Sequence, residues 1–108
     1  MGREQLEKKY LENGLPRFQL NSVDDLQAVH DVDLHRIAGY SGLDDSKQQL
    51  FQGFIINLFN AHGMDARGTL IPKSVRYVLE RSERYLRFDY ACNGRDLWLH
   101  VTNSHTWY

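Results

Sequence analysis

The sequence predicts an α+β domain: short N-terminal helices, then one long amphipathic helix packed on a three-stranded antiparallel β-meander. Two observations predict it. Residues 45–62 repeat their apolar side chains at helical spacing, and from Val75 onward the period changes to two. The register offers a third. Asn93-Gly94 separates two alternating runs, and folding the chain there brings apolar residues together on one face.

The N-terminal third holds the short elements. Residues 3–12 read as a short charged helix with Leu6 and Tyr10 four apart, stopped by Asn13-Gly14 and Pro16, so residues 1–14 are expected to dock loosely. Residues 17–21 read as extended or irregular. Ser22 is a good N-cap for Val23-Asp24-Asp25, with acids where the helix dipole favours them, and Leu26 and Val29 continue the apolar face. Asp33 is placed to cap a second short helix carrying Leu34, Ile37 and Ala38, ended by Gly39 and Gly42.

Asp44 or Asp45 caps the main helix, and Gly63 lies just past its end. Leu50, Phe51, Phe54, Ile55, Leu58 and Phe59 form one broad apolar stripe, with Lys47, Gln48, Gln52, Asn57 and Asn60 mostly opposite. Gly53, inside the helix, costs roughly 1 kcal/mol against alanine, which suggests close approach by another element.

In the meander, a turn at Asn93-Gly94 sets Tyr90 opposite Leu97, Phe88 opposite Leu99 and Leu86 opposite Val101. A turn at Ser82-Glu83 sets Leu79 opposite Leu86, Tyr77 opposite Phe88 and Val75 opposite Tyr90. Phe88 and Leu99 then fall at the centre of the core. The opposite face carries the rows Arg76–Asp89–Trp98, Val78–Arg87–His100 and Glu80–Tyr85–Thr102, with an expected ion pair from Arg76 to Asp89.

Composition limits the function classes. The chain has 108 residues, 42% hydrophobic and 25% charged, which suits one soluble globular domain over residues 1–108. A net charge of -1 argues against wholesale attraction to nucleic acid or an acidic membrane, and against a strongly acidic DNA mimic. The single cysteine, Cys92, cannot close an internal disulfide or build a cysteine-rich zinc site, so a reduced, cytoplasmic setting is expected. The opening MGREQLEKKYLENG has no apolar core of the kind a signal peptide needs, and FIINLF is too short to span a bilayer.

No catalytic site, metal or cofactor is predicted. His30, Asp31, Asp33 and His35 are ligand types, but residues five apart on one helix point about 140° away from each other. His100 and His105 could meet only if the tail folds back. "GMDARG" has no strand leading into it and no lysine after it, unlike a phosphate loop. Cys92, at a hairpin tip, is expected to be exposed and inert, with only Arg95 near enough to lower its pKa. Glu80, Glu83 and Asp89 read as solvated hairpin charges. Trp107 and Tyr108 are expected to fold back on the domain rather than stand in water. The rival to this reading is a small metal-dependent nuclease or hydrolase using His30, Asp33, His35 or His100.

The candidate binding residues are Arg76, Tyr85, Arg87, Trp98 and His100, on the sheet face away from the main helix. Two structural readings compete: a merely solvated face, or one that the N-terminal helices cover, with Trp98 as core. The functional reading rests on residue type, because Trp, Tyr and Arg dominate interface hot spots. Aromatics beside arginines on a sheet also suit stacking on unpaired bases, although the signature strands of an RNA-recognition motif are missing.

FIINLFNAHGMDARGTLIPKSV, followed by YLRFDYACNGRDLWLHV, resembles small accessory proteins of bacterial plasmids, integrative elements and phages, over roughly the C-terminal half. That resemblance carries no catalytic motif. It implies mobile-element cargo in a bacterial cytoplasm. It also implies a protein partner from host defence, such as a CRISPR effector or another nuclease, met by an anti-CRISPR-like inhibitor. Single-stranded nucleic acid is the alternative partner.

Overall fold

The computed structural model describes residues 19–62 and 69–108, so the expected helix at residues 3–12 lies outside the described residues. Helix α1 is Val23–His30 and helix α2 is Asp45–Ala61, with two 3-10 turns between them, Leu34–Arg36 and Tyr40–Gly42. Among the described residues beyond α2 lie four strands, β1 (Ile71–Glu80), β2 (Glu83–Cys92), β3 (Arg95–Asn103) and β4 (Thr106–Trp107), in one antiparallel sheet ordered as in the chain. The α+β class holds, but the sheet has a fourth strand because the tail folds back.

The caps explain the helix starts. Ser22 Oγ accepts from the Asp25 N–H at 3.2 Å, and Asp44 Oδ1 accepts from the Lys47 N–H at 2.9 Å. Asp33 caps too, but it opens the 3-10 turn Leu34–Arg36 rather than an α-helix. Bonds from Lys47 and the Ser46 hydroxyl hold the Asp44 carboxyl down at about 2, against an ordinary 3.8. A carboxyl depressed on folding stabilises above its unfolded pKa, and that contribution is lost as pH falls through the folded one. The melting temperature of the wild type should therefore fall more between pH 4 and pH 2 than that of Asp44→Asn, which keeps a neutral cap. Parallel acid melts of the two would refute this role for Asp44.

The apolar stripe of α2 buries Phe51, Phe54, Ile55, Leu58 and Phe59 against one sheet face, and Leu26 and Val29 of α1 join the same core. Asn60 departs from its expected solvent side and is buried. Its Oδ1 accepts from Leu20 N–H at 2.9 Å and its Nδ2 donates to Leu20 O at 2.8 Å, pinning the chain entering α1 to the end of α2. Gly53 has the expected close neighbour: a Cβ there would lie 2.9 Å from Cβ of Ser104, in the β3–β4 turn. Asn57 Nδ2 donates to Ser104 O at 2.8 Å and holds that turn in place.

The second hairpin folds as its sequence predicts. Asn93 (φ 55°) and Gly94 (φ 77°) make the turn, and Phe88 faces Leu99 across it. The first hairpin turns one residue earlier than expected, at Arg81-Ser82, with Glu80 opposite Glu83. The pairing shifts by two residues, so every side chain keeps its face while the rows change. Arg76 lies opposite Arg87 rather than Asp89, and Tyr77 opposite Leu86. Phe88 is fully buried, whereas Leu99 is only partly so. Cys92 is buried beside Thr69, not exposed. No helix among the described residues is long and apolar enough to cross a membrane.

Candidate functional site

Odd-numbered residues of β2 and even-numbered residues of β3 share the sheet face away from α2, as strand alternation requires. Arg87 and Asp89 are two apart on β2 and therefore neighbours on that face. Their ion pair is two-pronged, with Nη2 at 3.1 Å from Oδ1 and Nε at 3.2 Å from Oδ2. This replaces the expected Arg76–Asp89 pair. Trp98 stands opposite Asp89, so the long Arg87 side chain reaches it diagonally, and its guanidinium lies 4.4 Å from the centre of the indole.

His100 is the hub of the remaining contacts. Its ring meets Trp98 at 4.7 Å and Tyr85 at 4.1 Å, both edge-on, and stacks on Tyr108 at 4.9 Å with 24° between planes. The Tyr85 hydroxyl donates to Glu80 Oε2 at 3.3 Å. Loss of solvent, and then the nearby Glu80 charge, raise the pKa of Tyr85, so its ring stays a neutral donor.

Tyr85, Arg87, Trp98 and His100 thus come together as one connected ladder. Arg76 stands at its β1 end, across from Arg87, whose charge Asp89 already balances. Trp98 is 46% exposed, so it is not core. Tyr108 is the member sequence reasoning missed. Its backbone exchanges both hydrogen bonds with His100, while Trp107 turns to the other face and packs edge-on against Phe54 at 5.4 Å. Adjacent aromatics in a returning strand must point to opposite faces, and that was the available signal.

The rival metal residues are scattered. His30 packs on Phe59, His35 on Tyr40, and His100 stays in the ladder. His105 turns to Asn57 instead of His100. Among the described residues no group of three or more His, Cys, Asp or Glu lies close enough to hold a metal ion. The chain matches no family model, no curated protein and no solved structure.

Proposed function

We propose that this is a non-catalytic binding protein that inhibits or modulates a protein partner through the face carrying Arg76, Tyr85, Arg87, Trp98 and His100. One observation supports this most: a half-exposed tryptophan whose neighbouring arginine is already locked between it and a carboxylate. A side chain fixed before binding loses little freedom on binding, so its contacts appear as affinity. The same geometry favours protein over nucleic acid. Asp89 balances the one cation stacked on the indole, leaving less charge for phosphate than a single-strand groove uses. The mobile-element resemblance suggests the class of partner, a CRISPR effector or another defence nuclease of a bacterial host.

The test is a pull-down from host lysate with wild type and the Trp98→Ala/Arg87→Glu double variant side by side. Each substitution should weaken binding by more than about 1 kcal/mol while the melting curve keeps its shape. An identical set of captured proteins from both would remove this face from the account. Salt-sensitive binding of single-stranded nucleic acid in a gel-shift titration would replace the protein partner.

A further inference from the structure

Strand β1 forms one edge of the sheet, and among the described residues only part of that edge is covered. Ala38 lies parallel to it: the Ala38 N–H donates to Lys73 O at 3.3 Å and the Val75 N–H donates to Ala38 O at 2.9 Å. These bonds show that residues 73 and 75 turn their peptide groups outward. The two-residue repeat of a strand then turns those of Tyr77 and Leu79 outward as well. Beyond Val75 no described residue pairs with this edge. Sheets usually blunt an edge with a bulge, a lysine or a proline. Here Pro72, Lys73 and the bulge between Pro72 and Ser74 fall where Ala38 already sits or before it. The one device that reaches residues 76–80 among those described is Lys47 of α2, whose ammonium lies 4.4 Å from the centre of the Tyr77 ring and leaves the outward peptide groups of Tyr77 and Leu79 unpaired. Those five residues instead present Tyr77 (42% exposed) and Leu79 (62%) on one face, and exposed Arg76 and Glu80 on the other.

We propose that this edge pairs with the same edge of a second copy of the chain, antiparallel about a two-fold axis at Val78. In that register Tyr77 lies opposite Leu79 of the second copy, and both turn their peptide groups into the seam. Each such pair exchanges two hydrogen bonds, and symmetry doubles them. On the helix side the tyrosine covers the exposed leucine. On the ladder side Arg76 lies opposite Glu80 of the second copy, twice over, as an opposite-charge cross-strand pair.

Neighbouring registers fit worse. An axis at Tyr77 would set Leu79 against Val75, whose N–H is already bonded to Ala38. An axis at Leu79 would set Glu80 against Val78 and lose both ion pairs. The free segment 76–80 is centred on Val78, so the proposed register uses all of it and no more. The two sheets then become one, and the Trp98 faces of both copies lie on the same side of it.

A seam of five residues is a small interface, so association is sought by sedimentation equilibrium of the full chain over roughly 1 μM to 1 mM. The mass should rise from 12.7 kDa toward twice that value. Leu79→Pro removes an outward N–H and no bond to β2. It should hold the mass at one chain while leaving the far-ultraviolet circular dichroism unchanged. Arg76→Glu and Glu80→Arg, each alone, set like charges across the seam and should weaken association about tenfold. Combined, they restore opposite charges and should restore the dimer. A wild type that stays at one chain throughout, a dimer indifferent to Leu79→Pro, or a double swap that fails to rescue would each overturn the proposal. Leu79→Pro leaves Arg76, Tyr85, Arg87, Trp98 and His100 unchanged, so partner capture by the ladder face is read independently with that variant. Arg76→Glu and Glu80→Arg, which alter Arg76 and the acceptor of the Tyr85 hydroxyl, are read for mass alone.

Discussion

Phe88→Ala should lower the free energy of unfolding by about 3–5 kcal/mol, a large share of the roughly 5–15 kcal/mol that holds a domain together. Phe88 is wholly buried and meets three other rings: Phe51 at 5.5 Å, Phe54 edge-on at 5.4 Å, and Tyr90 stacked at 5.1 Å. Two of those rings belong to α2 and one to β2, so Phe88 joins the helix to the sheet. Truncation removes the transfer free energy of a benzyl group and leaves a cavity that rings on a helix and a strand cannot easily close. Chemical denaturation of the variant would measure the loss. A midpoint within experimental scatter of the wild type would mean that α2 does not pack on this face.

Phe88 was legible because alternation and helical spacing are local signals. The pattern Leu86, Phe88, Tyr90 assigns a face whatever the register, and the two-residue error in the first hairpin left that assignment intact. The ladder was legible for the same reason. Tyr85, Arg87, Trp98 and His100 keep their face under any even shift, and the Asn93-Gly94 turn fixed β2 against β3.

What sequence reasoning missed depends on contacts between distant segments. Arg81 takes a positive φ of 56° at the first hairpin turn, and no local rule prefers it there over Glu83. The misplaced turn then misassigned the partner of Asp89. Asn60 looks polar and solvent-facing by helical spacing, and its burial rests on a contact with the distant backbone of Leu20. Tyr108 joins the ladder because α2 grips the β3–β4 turn through Gly53 and Asn57, a contact no period reveals.

Gly39→Ala is expected to be as damaging as the loss of Phe88, by a different cause. Gly39 sits at φ 89°, and a Cβ built on it would fall 2.0 Å from the carbonyl oxygen of Val75, a backbone atom that cannot swing aside. The unfavourable φ costs about 1–3 kcal/mol by itself. Relieving the clash means drawing residue 39 away from β1, and the two bonds between Ala38 and residues 73 and 75 go with it, at roughly 0.5–1.5 kcal/mol each. The total should approach 3–5 kcal/mol.

Gly42→Ala is the matched control, because a Cβ there meets nothing within 4 Å and its φ is not positive. That variant should melt within about 0.5 kcal/mol of the wild type. Releasing Ala38 has a second consequence. The uncovered edge of β1 would lengthen from residues 76–80 to 73–80, and the fixed end that confines pairing to one register would be gone. Gly39→Ala should therefore show concentration-dependent light scattering beyond a dimer at temperatures where Gly42→Ala does not. Equal stability and equal scattering for the two alanine variants would mean that the Ala38 segment does not cover the edge of β1.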